Sequence, residues 1–396
     1  MARETSNSGD EAFPWRLGVF DAHCHPTDTV PSIDKIAAMK TRALTIMATR
    51  GQDQSMVADF ADRLGISGDS LPMLISADFV KTQGHLVPSF GWHPWFSHQI
   101  YDDALCAQMQ SVDKTEHYNR VITPVPGDDD TFITSLPNPR PLSGLIDQTR
   151  SYLKRYPFAL VGEIGLDRAF RIPGLKMVDS EYERDTVLTP GGREGRRLSP
   201  YRVNINHQRR ILKAQLNLAG DMQRAVSVHG VAAHGVLFET LQETWHGHEK
   251  SVLSRRERKW KANVDAAHKG EALPEERSSN SGGPNPFPPR ICLHSYSGSP
   301  DTLRQYLHPS IPTVIFFSFS RLVNFSSSTS NKAVDAIKAV PDDRILSESD
   351  FHAAGEKMDD LLEDIIRTIC GIKGWSLEEG VEQLATNWIS YTFGGA

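Results

Sequence analysis

Two histidines one residue apart, His23 and His25, close a short apolar lead-in at Val19-Phe20. Side chains alternate faces along a strand, so the two imidazoles would point the same way. Such a pair at a strand end can hold one metal ion. A His-x-His pair also arises by chance on surfaces, so further ligands are needed. His93 sits in Gly91-Trp92-His93-Pro94, and Glu163 in Val161-Gly162-Glu163-Ile164-Gly165-Leu166-Asp167. His229 follows Ala225-Val226-Ser227-Val228, His294 follows Ile291-Cys292-Leu293, and Asp350 ends Ile345-Leu346-Ser347-Glu348-Ser349-Asp350. Imidazole and carboxylate together suit borderline ions such as Zn²⁺ or Mn²⁺. Five histidines and two carboxylates exceed one tetrahedral site, so two ions a few ångströms apart are expected.

Each residue has a simpler explanation when taken singly. A histidine at a strand end is usually a satisfied polar group. Glu163 could pair with a buried arginine, and Asp350 could cap a helix. Ten other histidines, His352 among them, show how common the residue is in this chain. What favours a shared centre is recurrence at one topological place.

That place depends on the elements that carry the residues. Eight strand-like runs are expected: 19–25, 43–49, 86–94, 158–167, 225–230, 291–294, 313–320 and 345–350. Helical spacing is read over 32–42, 52–64, 142–156, 201–221, 236–245, 300–307, 332–340, 357–372 and 376–391. Strands alternating with helices argue for parallel βα units, and eight of them for a (β/α)₈ TIM barrel. No Gly-rich dinucleotide fingerprint follows the first strand, which weighs against an open doubly wound sheet. Three polar stretches, 97–140, 168–200 and 246–289, interrupt the rhythm and read as long loop insertions. Without them about 275 residues remain, close to the ~250 of such a barrel. The expected organisation is a disordered N-terminus, 1–15, then one barrel domain over 16–396. All seven marked residues then fall at the C-terminal ends of strands, where barrels of this kind place their active sites.

The bulk numbers are consistent with this. The chain has 396 residues, 39% hydrophobic and 23% charged, with formal net charge −6. No basic field advertises nucleic acid, although bound divalent ions add positive charge locally. The basic run at Arg255, Arg256, Arg258 and Lys259 is read as a solvated helix face. Cys24, Cys106, Cys292 and Cys370 form no C-x-x-C pair, so neither a zinc ribbon nor a disulfide framework is indicated. The polar start lacks a secretory signal, and no run approaches the ~20 apolar residues of a membrane span. A protein of the cytoplasm or nucleus, with no membrane partner, is expected.

Taken together, the motifs resemble the TatD family of metal-dependent hydrolases, in the amidohydrolase-like superfamily. They are Asp21-Ala22-His23-Cys24-His25, Gly91-Trp92-His93-Pro94, the Glu163 strand, Val228-His229, His294-Ser295-Tyr296-Ser297-Gly298, Glu348-Ser349-Asp350 and Thr386-Asn387. They run in family order from end to end. The resemblance implies that His23, His25 and Asp350 hold one divalent ion and that His229 and His294 hold a second, with Glu163 bridging. The ions would be Mg²⁺, Mn²⁺ or Zn²⁺. It implies catalytic roles for Asp350 as general base, Glu163 as bridge, and His93 against the phosphate or leaving group. The implied reaction is 3′-5′ deoxyribonuclease cleavage of DNA ends by a metal-activated water.

Two features depart from the family pattern. Val231 stands where the family has an arginine two residues after the strand-five histidine, and a bidentate phosphate contact is lost with it. Phe351-His352 replaces the proline that usually follows Asp350. The long insertions resemble those of a fungal branch described as interacting with an anaphase-promoting complex subunit, which implies a protein partner. Two other functions therefore stand beside the nuclease: an amide or ester hydrolase on the same metals, and a binding scaffold in a cell-cycle complex.

Overall fold

The computed structural model describes residues 11–76, 79, 85–104, 112–127, 129–174, 187–192, 196–252, 285–326 and 330–394. Eight strands form one sheet in consecutive order: β1 (Phe20–Cys24), β2 (Ala43–Met47), β3 (Leu86–Phe90), β4 (Leu160–Asp167), β5 (Val226–Val231), β6 (Arg290–Leu293), β7 (Val314–Phe319) and β8 (Ile345–Ser347). Every neighbouring pair in this order is parallel. The last strand returns to the first just beyond its end. The Asp350 amide donates to the His23 carbonyl at 3.0 Å, and the His25 amide to the Phe351 carbonyl at 2.8 Å. The sheet thus curls into a nearly closed (β/α)₈ barrel with helices between its strands, as the alternation implied.

Inside the barrel, Phe20, Ala22, Val87, Leu160, Phe316 and Leu346 form one apolar layer. Alternation sends these residues inward, and their neighbours pack on the surrounding helices. The C-terminal helix Leu377–Phe393 closes this layer. Trp388 stacks on Phe20 with ring centroids 4.3 Å apart and donates its indole N–H to Thr45 Oγ1. Asn387, quoted above for the family likeness, ties the same helix to the sheet through the Ile345 carbonyl.

Some expectations need correction. The helix expected over 32–42 is a 3₁₀ run, Pro26–Ala38, broken at Thr29. Pro31 lies inside it and has no N–H to donate, so a regular α ladder is not available there. The helix expected from Tyr201 starts at Ile205, because Arg202–Val203 pairs antiparallel with Ile122–Thr123. The stretch 97–140 carries helices Lys114–Val121 and Asp130–Ser135. With Ile172 and Val203 they enclose an apolar cluster around Tyr118 and Phe132. Most of 246–289, including the basic run, lies outside the described residues, as do Cys106 and the first ten residues. Cys24, Cys292 and Cys370 are buried free thiols.

Trp388 is 1% exposed. Trp388→Ala is expected to destabilise the fold by about 3–5 kcal/mol, the usual cost of emptying a tryptophan site. Urea unfolding checks this, and a loss below about 1 kcal/mol would contradict the plugging role.

Candidate metal centre

Glu163 is the hub of the site. The register of β4 against β5 slips between Val161 and Ile164, which inserts one extra residue beside Glu163. Such a bulge re-aims a side chain. Gly165 has φ +152°, and a Cβ there would lie 2.1 Å from the His229 carbonyl oxygen. Only glycine lets β4 approach β5 this closely.

The two oxygens of Glu163 face different imidazoles. Oε2 lies 3.4 Å from His23 Nε2 and 3.3 Å from His25 Nε2. Oε1 lies 3.0 Å from His93 Nε2, 2.9 Å from His229 Nδ1 and 2.7 Å from His294 Nε2. Asp350, with φ +51°, turns its carboxylate to within 3.6 Å of His25 Nε2. The structure therefore brings together His23, His25, His93, Glu163, His229, His294 and Asp350, the whole set singled out in the sequence. Potential ligand atoms converge in three groups: His23, His25 and Asp350; His93, Glu163 and His229; and His23, His294 and Glu348.

Outer partners decide which ring nitrogen is offered. His23 Nδ1 is 2.8 Å from Ser227 Oγ, which leaves Nε2 for the centre. His229 Nε2 is held by Asp167 Oδ2 at 3.1 Å, which leaves Nδ1. His294 turns Nδ1 toward Glu348, 3.6 Å away, and Nε2 inward. His93 differs from these three. Its Nδ1 accepts from the Trp95 amide at 3.2 Å, so a neutral ring carries its proton on Nε2 and donates to Glu163. That makes His93 a donor rather than a ligand.

The electrostatics fit a divalent ion. Burial alone would raise the Glu163 pKa, but His93, His294 and His23 hold it well below the usual carboxylate range. Burial would likewise raise Asp350, yet the hydrogen bond from His25 and the charges of His294 and His23 keep it low. Burial lowers His25, but Asp350 and Glu163 more than offset this and push it up to about 9. Burial takes His93 down to about 4, so it is neutral at pH 7. Without a cation, protons must hold these facing nitrogens and carboxylates together. The donor set of imidazoles and carboxylates is the one such ions take.

Sequence reasoning quoted Asp21, Asp167 and Glu348 but gave them no role. All three are buried carboxylates. Asp21 accepts from the His23 and Ser349 amides, both at 3.0 Å, and so joins β1 to the end of β8. Glu348 accepts from the Ser295 amide at 2.8 Å and its hydroxyl at 2.6 Å. The available signal was adjacency: each sits within two residues of a candidate ligand or ends the same strand as one. By contrast, His98, His117 and His207 are buried away from the centre; His117 and His207 bond backbone carbonyls of His98 and Ser97.

A cavity of about 690 Å³ opens over the centre. Trp95, Phe96, Phe170, Leu188, Val231 and Val323 give it apolar walls. Among the described residues one arginine, Arg50, lines it, and that side chain is committed. It bonds Asp28 at 2.7 Å, Asp53 at 3.2 Å and the carbonyls of Thr189 and Pro190. Segment 187–192 of the second insertion is thereby tied to the barrel mouth.

Calorimetric titration with Mn²⁺ is expected to show tighter binding as pH rises from 6 to 9. The ion must displace the proton that His25 keeps up to about 9, so affinity is lost as pH falls below that value. Glu163→Gln is expected to weaken binding by tenfold or more at every pH. Affinity that is flat with pH would contradict the proton-filled ligand set.

The chain matches the family model described as TatD related DNase over residues 20–392. It is 35% identical to the Cut9-interacting protein scn1 of Schizosaccharomyces pombe, covering 93% of this chain and 97% of that protein. It is 26% identical to an uncharacterized deoxyribonuclease of Saccharomyces cerevisiae, covering 84% and 82%. A TatD homologue from Escherichia coli shares the fold with a TM-score of 0.50 at 15% identity, over 96% of this chain and all of that one. The extent of the family match and the scn1 identity make the conclusion plain: this chain belongs to the TatD-related DNase family.

Proposed function

We propose that the protein is a two-metal phosphodiesterase that removes nucleotides from the 3′ ends of DNA. The observation that carries this reading is the split of Glu163, one oxygen toward His23 and His25 and the other toward His229 and His294. The bound divalent ions would activate water and stabilise charge on the phosphoryl and leaving oxygens. His23, His25 and Asp350 would hold one ion, and His229 and His294 the other, with Glu163 between them.

The remaining work falls to protein groups. His93 donates to Glu163 Oε1 and fixes the bridging carboxylate in place. Asp350 stays ionised and accepts the proton of the attacking water, as a general base. The Ser295 hydroxyl gives its single proton to Glu348 at 2.6 Å, and its oxygen stands 3.2 Å from Asp350 Oδ2. The walled cavity suits one nucleotide at a strand end better than a continuous duplex, since ligand pockets of ~300–1,000 Å³ enclose single small molecules.

A second reading, acyl hydrolysis on the same centre, is favoured by Val231 in the cavity wall and by the committed Arg50. A protein partner at the insertions is also part of the proposal, supported by the fission-yeast relative, which is a Cut9-interacting protein.

The test is hydrolysis of single-stranded DNA labelled so that 3′ shortening is seen, with Mg²⁺, Mn²⁺ and Zn²⁺ each titrated. Metal-dependent shortening is expected, with Asp350→Asn lowering the rate roughly 10²-fold or more and Glu163→Ala abolishing it. No cleavage by metal-loaded protein, together with turnover of aryl esters, would replace the nuclease by the acyl reading. Val231→Arg is expected to raise activity on DNA several-fold by restoring a phosphate contact, while leaving ester turnover unchanged.

A further inference from the structure

We propose that the stacked pair Trp95–Phe170 is the subsite for the nucleobase of the strand end, an inference that rests on the phosphodiesterase reading above. Trp95 lies two residues past His93, in the 3₁₀ helix Pro94–Gln99 after β3, and Phe170 three residues past Asp167, at the bend after β4. Their rings are 4.4 Å apart and inclined by only 9°. Both line the cavity, and Trp95 is 37% exposed.

An exposed tryptophan is usually a free surface residue, but this one is anchored. Its indole N–H donates to Asp167 Oδ2 at 2.6 Å. The other oxygen of Asp167 accepts from the amides of Ala169 and Phe170, at 2.7 and 2.8 Å. One buried carboxylate therefore fixes the Trp95 ring and the backbone that carries Phe170. That carboxylate also holds His229. The aromatic surface is thus rigidly placed relative to the centre, its tryptophan ring 4.7 Å from that of His93 and 6.0 Å from that of His229. A nucleotide with its phosphate beside Glu163 and Asp350 carries its base one sugar away, and Trp95 flanks the two imidazoles, His93 and His229, that face Glu163.

The rest of the cavity points to the same ligand class. Among the described lining residues no arginine or lysine is left uncommitted, so a ladder of phosphate contacts is not available there. Stacking supplies binding without such contacts and accepts any base, because every base has a π-face. Asp167 is then a positioning residue that joins the base platform to a metal-facing histidine. It does not itself touch the substrate.

The test compares two ligands on the Mn²⁺-loaded full-length chain by titration calorimetry: deoxyadenosine 5′-monophosphate and 2-deoxyribose 5-phosphate. The nucleotide is expected to bind roughly tenfold tighter or better, a typical stacking contribution. Trp95→Ala should erase that difference while leaving the sugar phosphate unaffected. Because this change also removes the bond to Asp167, Phe170→Leu and Trp95→Phe are run beside it. The first should reduce the preference while keeping the bond, and the second should keep most of the preference without the bond. Equal binding of the two ligands by the unmodified chain, or a preference that survives Trp95→Ala, would overturn the subsite. Hydrolysis of DNA together with equal binding of the nucleotide and the sugar phosphate would sink this inference alone. Tighter binding of the nucleotide, lost in Trp95→Ala, without hydrolysis of DNA would sink the phosphodiesterase reading alone.

Discussion

A carboxylate as buried as Glu163 is tolerated only if charges and hydrogen-bond donors around it compensate for its lost hydration. Five imidazoles do so here, each brought from the C-terminal end of a different strand or the turn just after it, His23 and His25 sharing one. None of these contacts is local in the chain. They exist because the sheet curls until the end of β8 meets β1, through Asp350 on the His23 carbonyl and Ser349 on Asp21. Barrel closure and site assembly are therefore one event. The residues that close the seam are neighbours of the residues that face the centre.

Three further carboxylates make the arrangement specific. Asp21, Asp167 and Glu348 each accept backbone amides, and two of them also face the outer nitrogen of a histidine. Such outer partners choose the tautomer of each ring and so the nitrogen that is offered inward. Ser227 serves His23 in the same way. His93 shows the opposite arrangement: a backbone amide occupies its Nδ1, which turns a possible ligand into a donor to Glu163. Residues of the same type, at equivalent strand ends, thus receive different tasks from their second contacts.

The walls of the cavity come from elements that the strand pattern does not describe. Trp95 stands in a 3₁₀ helix and Phe170 at a bend just past their strands, and Leu188 and Thr189 belong to the second insertion, tied to Arg50. Arg50 spends its donors on Asp28, Asp53, Thr49 and two carbonyls. This arginine, which lines the cavity, is thus a structural fastener. Val231, at the end of β5, adds to the apolar wall of the cavity.

The sequence by itself determined the barrel, because eight apolar runs alternating with helical periodicity leave few other topologies. It also determined which residues face the centre, because strand ends are readable from hydrophobicity and the barrel gathers those ends at one mouth. Helical spacing misplaced the elements expected from Ser32 and from Tyr201, where proline and an insertion pairing override it. Only the tertiary structure decided which oxygen of Glu163 meets which imidazole, which nitrogen of each histidine is free, and that Asp167 joins His229 to Trp95. These depend on distances between residues far apart in the chain. A pattern of hydrophobicity fixes the face on which a side chain stands, but not the atom it meets across the barrel.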